Sequence, residues 1–152
     1  MTRQVHPPRW FVVTAWRVHR ALFRLTRGRV GLREPRPGVA GMMRLHTTGR
    51  ASGEKRAAIV CYVEDGDRFV TLAMNGWGDP PPQWWRNLLA DPAAETETRG
   101  GRRQPVRARA AQGNERDRLW DTLRHTAGWG DIDGFASARA AVTPIVVLEP
   151  PA

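Results

Sequence analysis

The tripeptide Asp65-Gly66-Asp67, set between the runs 56–64 and 68–74, constrains this chain more than any other feature. Both flanking runs are rich in β-branched and aromatic residues, and an Asp-Gly step favours the positive-φ turn that matches strand twist. A hairpin is therefore expected, and further strands follow from the same pattern. Residues 42–48 form a short β-rich run ahead of it, and runs near 93–99 and 105–111 are joined by Gly100-Gly101. The last run, 143–148, is almost wholly apolar and belongs inside a sheet. About six strands with short helices between them imply a closed or split barrel of the α+β class.

The helical signals are sparser. Gly76, Gly78 and the prolines at 80, 81 and 82 lead into a short helix over 83–90, which Asp91-Pro92 ends. Asn114 reads as the N-cap of a helix through about residue 125 that buries Leu119, Trp120 and Leu123. Residues 126–140 are irregular, with one short helix near 132–138. Upstream, residues 9–27 read as an amphipathic helix with Phe11, Ala15, Val18, Leu22 and Leu25 on one face. Arg17, Arg20, Arg24 and Arg27 keep the same spacing on the other side, and Gly28 stops the helix. A Pro- and Gly-punctuated linker over 30–40 follows, so the chain divides into a basic helix and linker, 1–36, and a barrel domain, 37–152.

Charge sharpens that division. The net charge is +9, yet residues 1–36 hold nine arginines against Glu34, which leaves the rest of the chain at +1. A nucleic-acid module would spread its cations along one face with exposed aromatics, and the near-neutral body argues against one. The basic helix has two readings. It docks its apolar face on its own domain or on a second copy in a homodimer, the favoured reading, or it lies on an anionic membrane surface. No run approaches the roughly 20 apolar residues of a spanning helix. Arg17 and Arg20 interrupt what would be a signal peptide's apolar core. A cytoplasmic protein is expected, with peripheral contact at the inner face of the plasma membrane as the alternative. Cys61 is the single cysteine, so neither a disulfide framework nor a thiol metal site is expected, and its apolar neighbours suggest an inert strand thiol.

Two segments carry chemistry. Residues 47–56 place two glycines, three hydroxyls and three cations between two strands. Glycines let a loop turn its amides toward one point, and Arg50 and Arg56 can clamp phosphate or carboxylate bidentately. The physics is that of an anion cradle, although a basic hairpin loop is often only solvated surface. It lacks the spacing of a Walker loop. The second segment runs from Ala73, Met74, Asn75 and Gly76 to Gln83, Trp84, Trp85, Arg86 and Asn87. A small-residue strand end lets a flat ligand approach the backbone, with tryptophans as walls. One of Trp84 and Trp85 is expected to fill core instead, since adjacent helical residues diverge by about 100°.

Taken together, TTGRASG (47–53), EDGDRFV (64–70), AMNG (73–76), WWRNLLADP (84–92) and TPIVVLEP (143–150) resemble the deazaflavin-dependent nitroreductase and quinone reductase family in order and spacing. The resemblance covers roughly residues 40–150. It implies a split β-barrel of the FMN-binding type and the cofactor coenzyme F420, a deazaflavin with a phosphate and an oligoglutamate tail. It assigns Arg50, Ala51, Ser52 and Arg56 to the phosphate and tail, and Cys61 to a strand position facing the cofactor. Ala73, Met74, Asn75 and Gly76 would run beside the ring, and the helix start Gln83, Trp84, Trp85, Arg86 and Asn87 would close over the cofactor. Ala51 stands where the family often has a cation. The stretch 125–141 has no tyrosine, which disfavours bulky nitro drugs and leaves quinone-like small-molecule acceptors. The implied function is hydride transfer from reduced F420 to an organic acceptor. The alternative is a non-catalytic carrier of deazaflavin or lipid on the same barrel. No catalytic acid stands out among Tyr62, His46 and His125.

Overall fold

Strict alternation in β1 (Gly41–Thr48) sets the architecture. Met43, Leu45 and Thr47 are buried while Met42, Arg44 and His46 are half-buried on the other face. The computed structural model describes residues 10, 13–15, 17, 18, 21, 31–75 and 80–152. Along the described chain follow β2 (Lys55–Asp65), β3 (Arg68–Leu72), α1 (Gln83–Ala90), β4 (Ala93–Glu97), β5 (Arg103–Ala110), α2 (Gly113–Arg124), α3 (Ile132–Ser137) and β6 (Ile145–Glu149). The strands close in the order β1-β2-β3-β6-β5-β4, and β4 returns to β1 through Arg44↔Glu97. Gly66 turns the expected β2–β3 hairpin at φ 67°, a conformation that costs glycine nothing.

Alternation sorts the apolar residues into two clusters. One fills the barrel with Met43, Leu45, Val60, Tyr62, Phe69, Val106, Val146 and Leu148, and α1 joins it through Trp85 and Leu88. The other lies on the opposite sheet face, where Val63, Val70, Leu72, Ile145 and Val147 meet Leu119 and Leu123 of α2 and Ile132 of α3. β6 feeds both clusters, which explains its unbroken apolar run.

Two local expectations shift. α2 starts at Gly113 after Gln112, with no side-chain cap bond, so Asn114 lies inside the first turn instead of capping it. Glu115 anchors that turn, accepting from Arg109 Nη1 and Nη2 at 2.6 and 2.9 Å and from Arg68 at 3.0 Å. Trp120 is only half-buried because its indole Nε1 reaches out to Asp133 at 2.7 Å. Upstream, residues 10, 13–15, 17, 18 and 21 of the expected amphipathic helix are helical, and the remainder of 9–27 lies outside the described residues. Leu32 is buried and Arg33 exchanges backbone bonds with Met42 at 3.1 and 2.8 Å, which ties this part of the linker to β1.

A charged network staples the hairpin to α2. Asp65 accepts from Arg68 and from both Nη atoms of Arg118 (2.9 and 3.0 Å), and Arg109 also reaches Glu149 at 3.1 Å. Hydrogen bonds from Arg118 hold the Asp65 carboxyl below its usual range, and those from Arg109 do the same for Glu115. A depressed carboxylate stabilises the fold fully above its unfolded pKa of about 4 and loses that contribution as pH falls through the folded value. The urea midpoint should therefore hold from pH 7 to about 5 and drop below about 4. Glu115→Gln should lower the midpoint at pH 7 and shrink the acid drop.

Candidate functional site

The β1–β2 loop, residues 49–54, is built from backbone amides and one hydroxyl. Gly49 N–H donates to Glu54 O at 2.8 Å, Gly53 N–H to Gly49 O at 2.7 Å, and Glu54 N–H to Ser52 Oγ at 3.2 Å. Gly49 is closely packed: a Cβ there would sit 2.9 Å from Ser52 Oγ and 3.3 Å from Glu54 O, so the Ser52 side chain would have to shift. Gly49→Ala should thus push Ser52 off Glu54 and loosen the cradle. The expected result is several-fold weaker anion binding in a titration, with thermal stability lowered by about 1 kcal/mol or less.

Helix α1 braces this loop. It starts after Pro82, and Gln83 and Asn87 are one turn apart, so they share a face. Arg50 Nη1 donates to Gln83 Oε1 at 2.8 Å and to Asn87 Oδ1 at 3.4 Å, and the Arg50 backbone N–H reaches the same Oδ1 at 3.2 Å. Asn87 Nδ2 donates to Thr47 Oγ1 at 3.2 Å; both residues are buried. Arg56 Nη2 pairs with Glu54 at 2.9 Å and touches Ser52 Oγ at 3.5 Å. That pair is 58% and 68% exposed, so it is weakly held and exchangeable. Ala51 is exposed and offers no side-chain donor. Two guanidiniums and a serine hydroxyl make a donor set suited to phosphate and carboxylate oxygens, while the amides of Gly49, Arg50, Gly53 and Glu54 are spent on holding the loop.

The remaining candidates divide differently. Trp85 is buried in the barrel cluster, and Trp84 packs against it edge-on, with ring centroids 6.5 Å apart at 71°. Ala73 is fully buried and its N–H bonds Pro144 O at 3.0 Å. Asn75 Nδ2 bonds Pro80 O at 2.9 Å, Arg86 is half-buried, and Gly76 lies outside the described residues. Met74 and Cys61 rim the outer cluster. Cys61 is five residues from Arg56 on β2, hence on the opposite face, with Sγ 3.8 Å from Gly128 O; burial pushes its thiol pKa up. The structure therefore gathers Arg50, Ser52, Arg56, Gln83 and Asn87 at one place and leaves Cys61 and Met74 elsewhere.

The proton-bearing side chains are committed. Tyr62 is enclosed against Phe69, with its pKa pushed up to about 12 by burial first and then by nearby Glu64 and Glu34. His46 Nε2 sits 2.8 Å from Glu97 on the outward face of β1, and His125 Nδ1 lies 2.8 Å from Asp121 O. Among the described residues no group of three metal-ligating side chains forms a site. Within the 47–56 segment, Thr47 and Glu54 take their particular roles only from what folding sets beside them, Asn87 and Arg56.

A closed antiparallel barrel thus carries, between β1 and β2, a helix-braced group of donors of the kind that suits a phosphate- or carboxylate-bearing ligand. Its fold matches that of an F420-H2 dependent reductase, with a TM-score of 0.63 at 24% identity over 71% of this chain and 93% of the other. It also matches a domain-swapped dimer, with a TM-score of 0.66 at 23% identity over 90% and 98% of the two chains. The chain belongs to the F420H(2)-dependent quinone reductase family, whose sequence pattern matches residues 15–150. An F420H(2)-dependent quinone reductase of Mycobacterium tuberculosis is 35% identical over 135 residues, 87% of each chain. The chain is accordingly an oxidoreductase with F420H2 as its reductant.

Proposed function

We propose that this chain reduces a quinone with F420H2, and that loop 49–54 and α1 hold the coenzyme's phosphate and glutamate carboxylates. The observation that carries the reading is the Arg50 guanidinium, held through Nη1 by Gln83 and Asn87 while Nε and Nη2 make no protein hydrogen bond among the described residues. When bound, the coenzyme supplies hydride; the protein supplies position and electrostatics. Ser52 and Arg56 add donors beside Arg50. Ala73, just past the end of β3, and the half-buried Trp84 border the ring. The proton comes from solvent, since Tyr62 is enclosed and His46 is engaged by Glu97. A fluorescence titration with oxidised F420 and, in parallel, flavin mononucleotide tests this, followed by anaerobic oxidation of F420H2 by a naphthoquinone. F420 binding with quinone-dependent oxidation is expected. Binding of flavin mononucleotide alone would replace the hydride donor, and binding of neither would remove the cradle assignment.

The N-terminal segment supports a membrane-surface role in the same scheme, because Trp10, Val13 and Val18 are 69%, 43% and 54% exposed. Quinones partition into lipid, so a peripheral enzyme meets them at the surface. Trp10→Ser with Val18→Asp should reduce cosedimentation with anionic vesicles and leave F420 affinity unchanged. Unaltered sedimentation would return the segment to a docking role.

A further inference from the structure

We infer that Asn87 is a positioning residue for the coenzyme's anionic tail, acting through Arg50. The inference rests on the reading that loop 49–54 holds that tail. Asn87 is 5% exposed, and its Oδ1 and one Nδ2 hydrogen are committed inside the protein. Oδ1 accepts from the Arg50 backbone N–H at 3.2 Å and from Arg50 Nη1 at 3.4 Å, which uses both lone pairs of a carbonyl oxygen. Nδ2 donates to Thr47 Oγ1 at 3.2 Å, and Thr47 is itself 2% exposed and locked in register with Arg56. One side chain thus ties the end of β1, the loop and α1 together.

The consequence falls on Arg50. With Gln83 also on Nη1 at 2.8 Å, the guanidinium plane is set and its Nε–Nη2 edge is turned away from these anchors. That edge can take two oxygens of a phosphate or carboxylate in parallel bonds. A clamp held this way loses less rotamer freedom when it binds than a free arginine does. Asn87 therefore contributes to affinity for the tail and contributes nothing to the ring.

The test compares F420 with its tail-free riboside, which lacks phosphate and glutamates, as ligands of the full chain by fluorescence titration. The wild-type protein should bind F420 more tightly than the riboside. Asn87→Ala should weaken F420 binding about tenfold and riboside binding little, the loss expected for one hydrogen bond to a charged group. Thr47→Val, which never touches the loop's exposed side, should shift F420 in the same direction, and Thr47→Ser should restore it; this pair carries the test if Asn87→Ala fails to fold. Equal weakening of both ligands by Asn87→Ala or Thr47→Val would overturn the positioning role. Equal affinities in the wild type would instead overturn the tail-cradle reading beneath it.

Discussion

Replacing Trp85 by alanine is expected to lower the free energy of unfolding by about 3–5 kcal/mol, the range for deleting a buried aromatic from a packed core. Trp85 is 7% exposed within the barrel cluster, and α1 reaches that cluster only through Trp85, Leu88 and the packing of Trp84. The helix has eight residues, no side-chain cap bond and no acidic residue in its first turn. So short a helix does not persist by itself, and its helicity comes from burial. Against a typical domain stability of about 5–15 kcal/mol the loss is large. It also has a second consequence, because a loosened α1 carries Gln83 and Asn87 away from Arg50. Urea unfolding followed by far-UV circular dichroism should show the lower midpoint, and F420 affinity should fall with it. Trp84→Ala, at a half-buried site, should cost less. A loss below about 1 kcal/mol for Trp85→Ala would mean that the polar contacts of Asn87 hold the helix, and not its apolar face.

Local rules made much of this fold legible. The Asp-Gly turn, the period-two runs and the Pro-led short helix each depend on neighbours in sequence, and the structure has them within a few residues. Barrel closure was only a class-level expectation, because nothing in β4 announces that Glu97 will sit beside Arg44. Asn114 is a good cap by type, yet Arg109 and Arg68 hold Glu115, and the cap falls two residues earlier, at Gln112. For the tryptophan pair, helical geometry demands that one point inward, but which one depends on where the barrel lies. The cradle divides in the same way. Its glycines, hydroxyls and cations are contiguous and could be read from sequence. The bonds that orient Arg50, and the one that anchors Asn87 behind it, span 33 to 40 residues, and no residue type names its partner at that distance. Cys61 shows the converse: its strand was legible, while the face it occupies relative to Arg56 follows from parity along β2.

Arg50→Ala should weaken F420 binding by about 1.5–3 kcal/mol, roughly 10- to 100-fold, as when a hydrogen bond to a charged group is lost. Arg56→Ala should cost less, because Arg56 is 58% exposed and must leave Glu54 before it meets a ligand. Arg50→Lys separates charge from geometry. An ammonium keeps the attraction, but it lacks the planar fork that Gln83 and Asn87 orient, so only part of the affinity should return. Ionic strength adds a second axis: with one cation removed, the loss of affinity between low and high salt should shrink for Arg50→Ala. Titrations of the three variants at two salt concentrations give all of these comparisons at once. If Arg56→Ala proved the more costly, the ligand would be held by the exchangeable pair. Arg50 would then be a brace that closes the loop onto α1, and its guanidinium edge would serve the fold rather than the coenzyme.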